Sequence, residues 1–334
     1  MKVLVVGGSG FLGEHLCTVL IDKGYEVINV DVKSSSIRHD RFTTKLVDAN
    51  RLKTTFGAEV VINCAAMVPL TRSKKGFKSS NLHACRNMLE VSSRNGVKHF
   101  IFVSSSAVYG VPSRNPVKID DEKNPFESYG RSKLAAEKLC LDFRGGDMLV
   151  SIARPRTIAG AGRKGVFAIL FELVIQDRRI PLFRGGSNRF QFVHVSDVAE
   201  PIELICKLNK EVDINLGSLD YPTLRDSLSS LVGYANSKSS FVRFPTILLK
   251  LVSLLSHLRI LPFAPYQLKM YDKDFYFQAD LGINSLSWRP KFTSAEALFS
   301  SFNAYVSCTS PSTSGSAHQL GVNSKLLRLV MRLL

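Results

Sequence analysis

Through its first half the chain alternates short, continuously apolar runs with longer stretches whose apolar residues recur every three or four positions. Runs at 3–6, 26–30, 60–62 and 100–103 are too short for helices and read as buried strands, with a weaker strand at 44–47. The stretches around 11–23, 81–95 and 132–143 read as amphipathic helices. Strands that are apolar without alternation are covered on both faces, and intervening helices make their pairing parallel. The pattern predicts an α/β fold built on a doubly wound parallel sheet.

The first strand runs into Gly7-Gly8-Ser9-Gly10-Phe11-Leu12-Gly13, which opens the first helix. Gly7 permits a tight turn, Gly10 lets backbone approach a pyrophosphate, and Gly13 lets the helix pack close to the sheet. The helix N-terminus then offers free N–H groups to the anion. Asp31 ends the second strand eighteen residues after Gly13. A carboxylate there accepts hydrogen bonds from a ribose diol and repels a 2′-phosphate, so the expected cofactor is NAD. Lys33 and Arg38 lie just beyond it and would be the residues to serve NADP instead. Asp48, after the 44–47 strand, is placed to reach an adenine amine. The domain is of the Rossmann type.

Tyr129 and Lys133 stand at i and i+4, a spacing that puts both on one helix face. An ammonium beside a phenol favours the phenolate and lowers its pKa from about 10, which suits Tyr129 to general acid/base work. Ser104, Ser105 and Ser106 follow the 100–103 strand, and a hydroxyl there can hold a reacting oxygen against the phenol. No nucleophile elbow surrounds these serines, which disfavours a hydrolase.

Beyond about residue 150 the pattern is less regular. Strand candidates at 190–195 and 214–216 flank a helical stretch, a Leu-rich region covers 245–262, and a Ser/Thr/Pro-rich linker precedes a basic amphipathic end at 325–334. The expected division is a dinucleotide-binding domain at 1–155, with 189–217 returning to it. A smaller, partly helical substrate lobe takes 156–188 and 218–305, and a linker and tail take 306–334.

A chain of 334 residues with 45% hydrophobic and 22% charged residues is not a disordered one. Its 44 Lys and Arg against 28 Asp and Glu give +16, which favours anionic partners. Nucleic acid has no motif to support it. The six cysteines, Cys17, Cys64, Cys85, Cys140, Cys206 and Cys308, form no CxxC pair and no metal-ligand spacing with histidine. They read as buried thiols of a reducing compartment. With no leader-like segment before the first strand, a cytoplasmic location is expected. Peripheral membrane contact would run through 245–262 or the tail.

These pieces together resemble the extended short-chain dehydrogenases/reductases, specifically the NAD-dependent nucleotide-sugar epimerases and dehydratases of the UDP-glucose 4-epimerase type. The matching segments are the 7–13 turn, Asp31, Asn63-Cys64-Ala65-Ala66, 102–110, 129–133, Arg154-Pro155, 189–198, and 284–290 with Trp288. The resemblance implies that Tyr129 is the acid/base and Lys133 its activator and ribose anchor. Ser105 is the implied hydroxyl positioner because it lies four residues before Tyr109. It implies cofactor contacts from Gly7, Gly10, Phe11, Leu12, Gly13, Asp31, Asp48, Ala65 and Lys133, and substrate contacts from Ser105, Tyr129 and Arg189, the last on the nucleotide diphosphate. Asn81 matches a helix Asn that helps organise such sites. Asn215 reads as satisfying strand-end backbone.

Two departures stand out. Ser106 and Ala107 occupy places where the dehydratases and decarboxylases carry acidic residues, and Thr157 stands where many sugar epimerases have Asn. The expected activity is inversion of a hydroxyl-bearing carbon, C4, of a nucleotide-activated sugar by a homodimer. The alternative is oxidoreduction of a sterol-like or other apolar alcohol.

Overall fold

The computed structural model describes residues 1–66, 77–163, 165–244, 270, 273–278 and 286–307. The 245–262 region, the chain beyond 307, Asn284 and the side chain of Asn81 lie outside the described residues.

Strands β1 (Lys2–Val6), β2 (Glu26–Asp31), β3 (Phe42–Leu46), β4 (Val60–Asn63), β5 (His99–Val103) and β6 (Leu149–Pro155) alternate with helices α1 (Phe11–Asp22), α2 (Phe77–Arg94) and α3 (Ser128–Asp142). There follow β7 (Thr157–Ala159), α4 (Val166–Ile175), β8 (Ile180–Phe183), β9 (Phe192–His194), α5 (Ser196–Lys207) and β10 (Asp213–Leu216). The described chain continues with α6 (Leu224–Tyr234), β11 (Phe241–Phe244) and α7 (Ser294–Ser307).

Seven strands form one sheet in the order β10-β6-β5-β4-β1-β2-β3, every pair parallel. The chain builds outward from β1 to β3, then returns to lay β4 on the other side of β1. That reversal opens a crevice beyond the carboxyl ends of β1 and β4. Each face of the sheet is dry. On one, Leu16, Cys17 and Leu20 of α1 meet Val198, Ile202 and Ile205 of α5. On the other, Cys85, Met88 and Leu89 of α2 meet Ala136 and Cys140 of α3. This double cover is why β1 and β4 carry almost no polar side chain.

Several elements differ from the sequence reading. β6 was not expected as a strand, because Ser151 and Arg154 interrupt its apolar run; both are buried there with partners. Ser151 Oγ accepts from Val212 N and lies 2.8 Å from His99 Nε2, while Arg154 pairs with Glu137. α3 starts four residues earlier than expected, because Glu127 caps it by accepting from Tyr129 N and Gly130 N. Of the 189–217 stretch, β10 enters the main sheet and α5 packs beside α1. β9 instead pairs with β7 in a separate two-stranded ladder, because the chain bends away from the sheet after Pro155.

A second core gathers Phe167 and Phe171 of α4, Leu182, Phe192, Leu228 and Leu231 of α6, and Leu298 and Phe302 of α7. β8 and β11 pair at its edge. Among the described residues no helix is long and apolar enough to cross a membrane.

Two histidines make this fold acid-sensitive. Burial lowers His99 from 6.5 to about 4, and it lowers His194 likewise, helped there by the charge of His15. Both are neutral in the fold between pH 4 and 6.5, while the unfolded chain binds a proton at each. The unfolded state therefore holds more protons in that window, and stability falls as pH drops from about 6.5 to about 4. Urea midpoints measured across pH 4–7 should fall over that window. His99→Asn should flatten part of the dependence.

Candidate active site

The carboxyl ends of β1, β2, β4 and β5 lie along one edge of the sheet and lead into the 7–13 turn, Asp31, Ala65 and Ser104–Ser106, while α3 supplies Tyr129 and Lys133. After β1, Gly7 adopts φ +83° and a Cβ there would lie 2.8 Å from the Ala65 backbone. A Cβ on Gly13 would meet Gly7 O at 2.2 Å, so α1 packs against the turn only with glycine at this position. Gly10 caps α1 with no side-chain hydrogen bond, which leaves the first turn, Phe11 and Leu12 included, open to an anion. This donor set fits a dinucleotide pyrophosphate.

Asp31 ends β2 with its carboxylate oriented by two backbone donors, Ser9 N and Lys33 N, each at 3.1 Å. Ser9 Oγ donates to Lys33 O and accepts from Asn29 Nδ2, which ties the glycine turn to the β2 end. Arg38, a candidate for a 2′-phosphate, donates through Nη1 to Ser35 O and Ile37 O, both at 2.9 Å. The Asp31 carboxylate suits a ribose diol, which donates to it, better than a 2′-phosphate, which it repels. Asp48 is exposed and caps the short turn Ala49–Arg51 by accepting from Asn50 N and Nδ2. Ala65 follows β4, its N–H donating to Asn63 Oδ1.

Three consecutive serines leave β5, and the structure gives each a different environment. Ser104 Oγ is buried and donates to Glu137 Oε1 at 2.5 Å. Ser106 is buried, and its Oγ accepts from Arg156 Nη1 at 3.3 Å. Ser105 alone of the three is partly accessible; its Oγ accepts from Ala107 N, capping the turn Ser106–Tyr109. Tyr109 OH donates to Asn215 Oδ1 at 2.9 Å, so Asn215 serves a side chain rather than strand-end backbone.

Tyr129 sits in the first turn of α3, half-buried, and Lys133 follows one turn later on the same face. Lys133 is 3% exposed, donates to Val103 O at 2.7 Å and lies 4.7 Å from the Phe102 ring centroid. Burial lowers its pKa to about 8, with Cys85, Cys64, Cys140 and Glu137 opposing the shift. The ammonium is charged at neutral pH and close to its titration point.

Arg189 precedes β9 in the chain and is exposed; its backbone N–H donates to Asp274 Oδ1 at 2.7 Å. It stands apart from the β1–β6 edge, on the segment that bridges to Phe275 and Thr223.

Three further residues escaped the sequence reading. Glu137, one turn beyond Lys133, makes a bidentate pair with Arg154, both contacts at 2.8 Å. Arg156 is buried beneath Ser106. Arg163 lies over Phe11 and Phe167, at 5.3 and 5.5 Å from their ring centroids, with its buried Nε making no hydrogen bond among the described residues. Burial lowers its pKa to about 10, against the opposing influence of Tyr129, so it stays charged at neutral pH. The Tyr-to-Lys spacing extended by four residues would have flagged Glu137. Nothing in the local pattern distinguishes Arg156 or Arg163 from surface arginines. Among the described residues no cluster of metal ligands occurs.

The y4nG protein of Sinorhizobium fredii is 33% identical over 337 residues, covering 98% of this chain and 85% of its own length. The UDP-glucose epimerase YtcB of Bacillus subtilis, itself uncharacterised, is 28% identical over 61% of this chain and 72% of its own length. The crystal structure of UDP-glucuronic acid 4-epimerase from Bacillus cereus with NAD superposes with a TM-score of 0.75 at 20% identity, covering 93% of this chain and all of that one. Residues 3–217 match the NAD dependent epimerase/dehydratase family, and the chain is a member of that NAD-dependent nucleotide-sugar family.

Proposed function

We propose that the protein inverts the configuration at C4 of a nucleotide-activated sugar. The observation that carries this reading is the serine turn. Its one accessible hydroxyl, Ser105, belongs to the same edge as Tyr129 and Lys133, and no carboxylate occupies positions 106 or 107. Two nearby carboxylates are committed elsewhere, Glu127 to backbone donors and Glu137 to Arg154 and Ser104. Elimination of water needs a further positioned acid and base, which this arrangement does not supply.

Ser105 Oγ holds the C4 oxygen, and Tyr129 takes the hydroxyl proton. Lys133, charged below about pH 8, stabilises the phenolate and reaches the cofactor ribose. Gly7, Gly10, Phe11, Leu12, Gly13 and Ala65 line the pyrophosphate end, Asp31 the adenosine ribose and Asp48 the adenine. The chemistry NAD supplies when bound is to accept the hydride from C4, the carbon that bears this hydroxyl, and to return it to the same carbon. After the sugar presents its other face, Tyr129 returns the proton to the same oxygen. Arg189, on the segment that bridges to Thr223 and Phe275 of the substrate lobe (156–188 and 218–305), pairs with the diphosphate, a task suited to a planar guanidinium.

Incubation of the purified protein with UDP-sugars should give the C4 epimer without net production of NADH. Net oxidation, or a dehydrated or decarboxylated product, would replace this reading. Tyr129→Phe should retain NAD and lose about a hundredfold or more in turnover, since a positioned acid/base contributes about 10²–10⁴. Ser105→Ala should slow turnover more than Ser104→Ala; the reverse order would assign the hydroxyl role to Ser104.

The Asp31 carboxylate carries the discrimination between cofactors. Asp31→Ala should weaken NAD binding by about tenfold or more, because charge-assisted hydrogen bonds contribute about 1.5–3 kcal/mol. The same change should narrow the preference over NADP, as read from dissociation constants for both.

A further inference from the structure

Arg156 lies between β6 and β7, 3% exposed, and touches both halves of the site. Its guanidinium carbon is 4.0 Å from the Phe275 ring centroid and 4.5 Å from that of Phe190. Nε donates to Phe275 O at 3.1 Å, and Nη1 donates to Ser106 Oγ at 3.3 Å and Thr157 Oγ1 at 3.4 Å. Phe190 and Phe275 are bridged, and Phe275 N donates to Arg189 O at 2.9 Å. One side chain thus joins the backbone that carries Arg189 to the turn that carries Ser105.

We propose that Arg156 is a positioning residue that couples occupation of the nucleotide end of the site to the geometry of the catalytic serine turn. The proposal rests on the functional reading above. When a diphosphate fixes Arg189, the Phe190 and Phe275 segments are fixed with it, and their rings hold the plane of Arg156. The same plane sets where Nη1 meets Ser106, and Ser106 is the first residue of the turn that Ser105 caps. Arginine is the side chain that can do this. It is flat enough to lie between two rings and has separate donors for a carbonyl on one lobe and a hydroxyl on the other. Lysine keeps the charge but has neither the plane nor the fork.

The test uses the full-length protein with NAD bound, Arg156→Lys and Ser106→Ala as variants, and UDP as the probe. In wild type, saturating UDP should slow amide hydrogen exchange across residues 104–110 by at least about threefold. In Arg156→Lys that slowing should vanish while UDP still binds. With the UDP-sugar as substrate, Arg156→Lys should lower kcat by about 10–100-fold with KM within about threefold, the signature of a misplaced rather than a missing catalytic group. Ser106→Ala, which removes only the contact to the turn, should reproduce most of both effects and decides the matter if Arg156→Lys does not fold. UDP protection that persists in either variant overturns the coupling, as does its absence in wild type. Failure of wild type to epimerise any nucleotide sugar sinks the functional reading instead, and the exchange measurement with UDP still judges Arg156.

Discussion

Everything at the reactive edge depends on one buried ion pair. The Glu137 and Arg154 side chains are 2% and 3% exposed, and bringing two such charges out of water costs several kcal/mol each. That cost is offset only by near-ideal geometry, and the pair has it: two parallel N–H···O contacts, with Ser104 Oγ adding a third donor to the carboxylate. Because Glu137 belongs to α3, Arg154 to β6 and Ser104 to the end of β5, the pair clamps three elements at one point. Lys133 lies one turn before Glu137, and Ser105 one residue after Ser104. Their relative placement follows from the clamp.

The same dry layer governs Lys133. A buried ammonium needs acceptors, and the structure provides Val103 O and the face of Phe102. The group is thereby held less basic than a surface lysine while still carrying its charge at neutral pH. An ammonium held this lightly is a fitting partner for a phenol that must give up and regain a proton. The environment that positions it also tunes it.

The sequence made the ends of strands more legible than their middles. Gly7, Gly13, Asp31, Tyr129 and Lys133 could be read because each answers a local demand: a positive φ, a close approach, a strand-end acid, a helical spacing. Gly7 does take a positive φ, a Cβ on Gly13 would clash with Gly7 O, and Tyr129 and Lys133 share one helix. β6 was illegible for the opposite reason. Ser151 and Arg154 look like surface residues, and only partners from distant segments, Val212, His99 and Glu137, make them interior. Arg156 and Arg163 share that fate, since a stacked guanidinium carries no periodic signal. Departure of β9 from the main sheet could not be read either, because it depends on the direction the chain takes after Pro155.

The thiols around this layer have a chemical consequence. Cys64 and Cys140 lie close to Lys133, and burial pushes both thiols up, Cys64 to about 12. Nucleophilic attack on peroxide or on a disulfide requires the thiolate, which is scarce at neutral pH for a thiol so held. These sulfurs therefore serve as polarizable packing that fills the space beneath the ammonium without offering it a permanent counter-charge. An oxidant that reacts with thiolates would find Cys140 wholly buried, and Cys64, which is partly exposed, shielded by the scarcity of its thiolate.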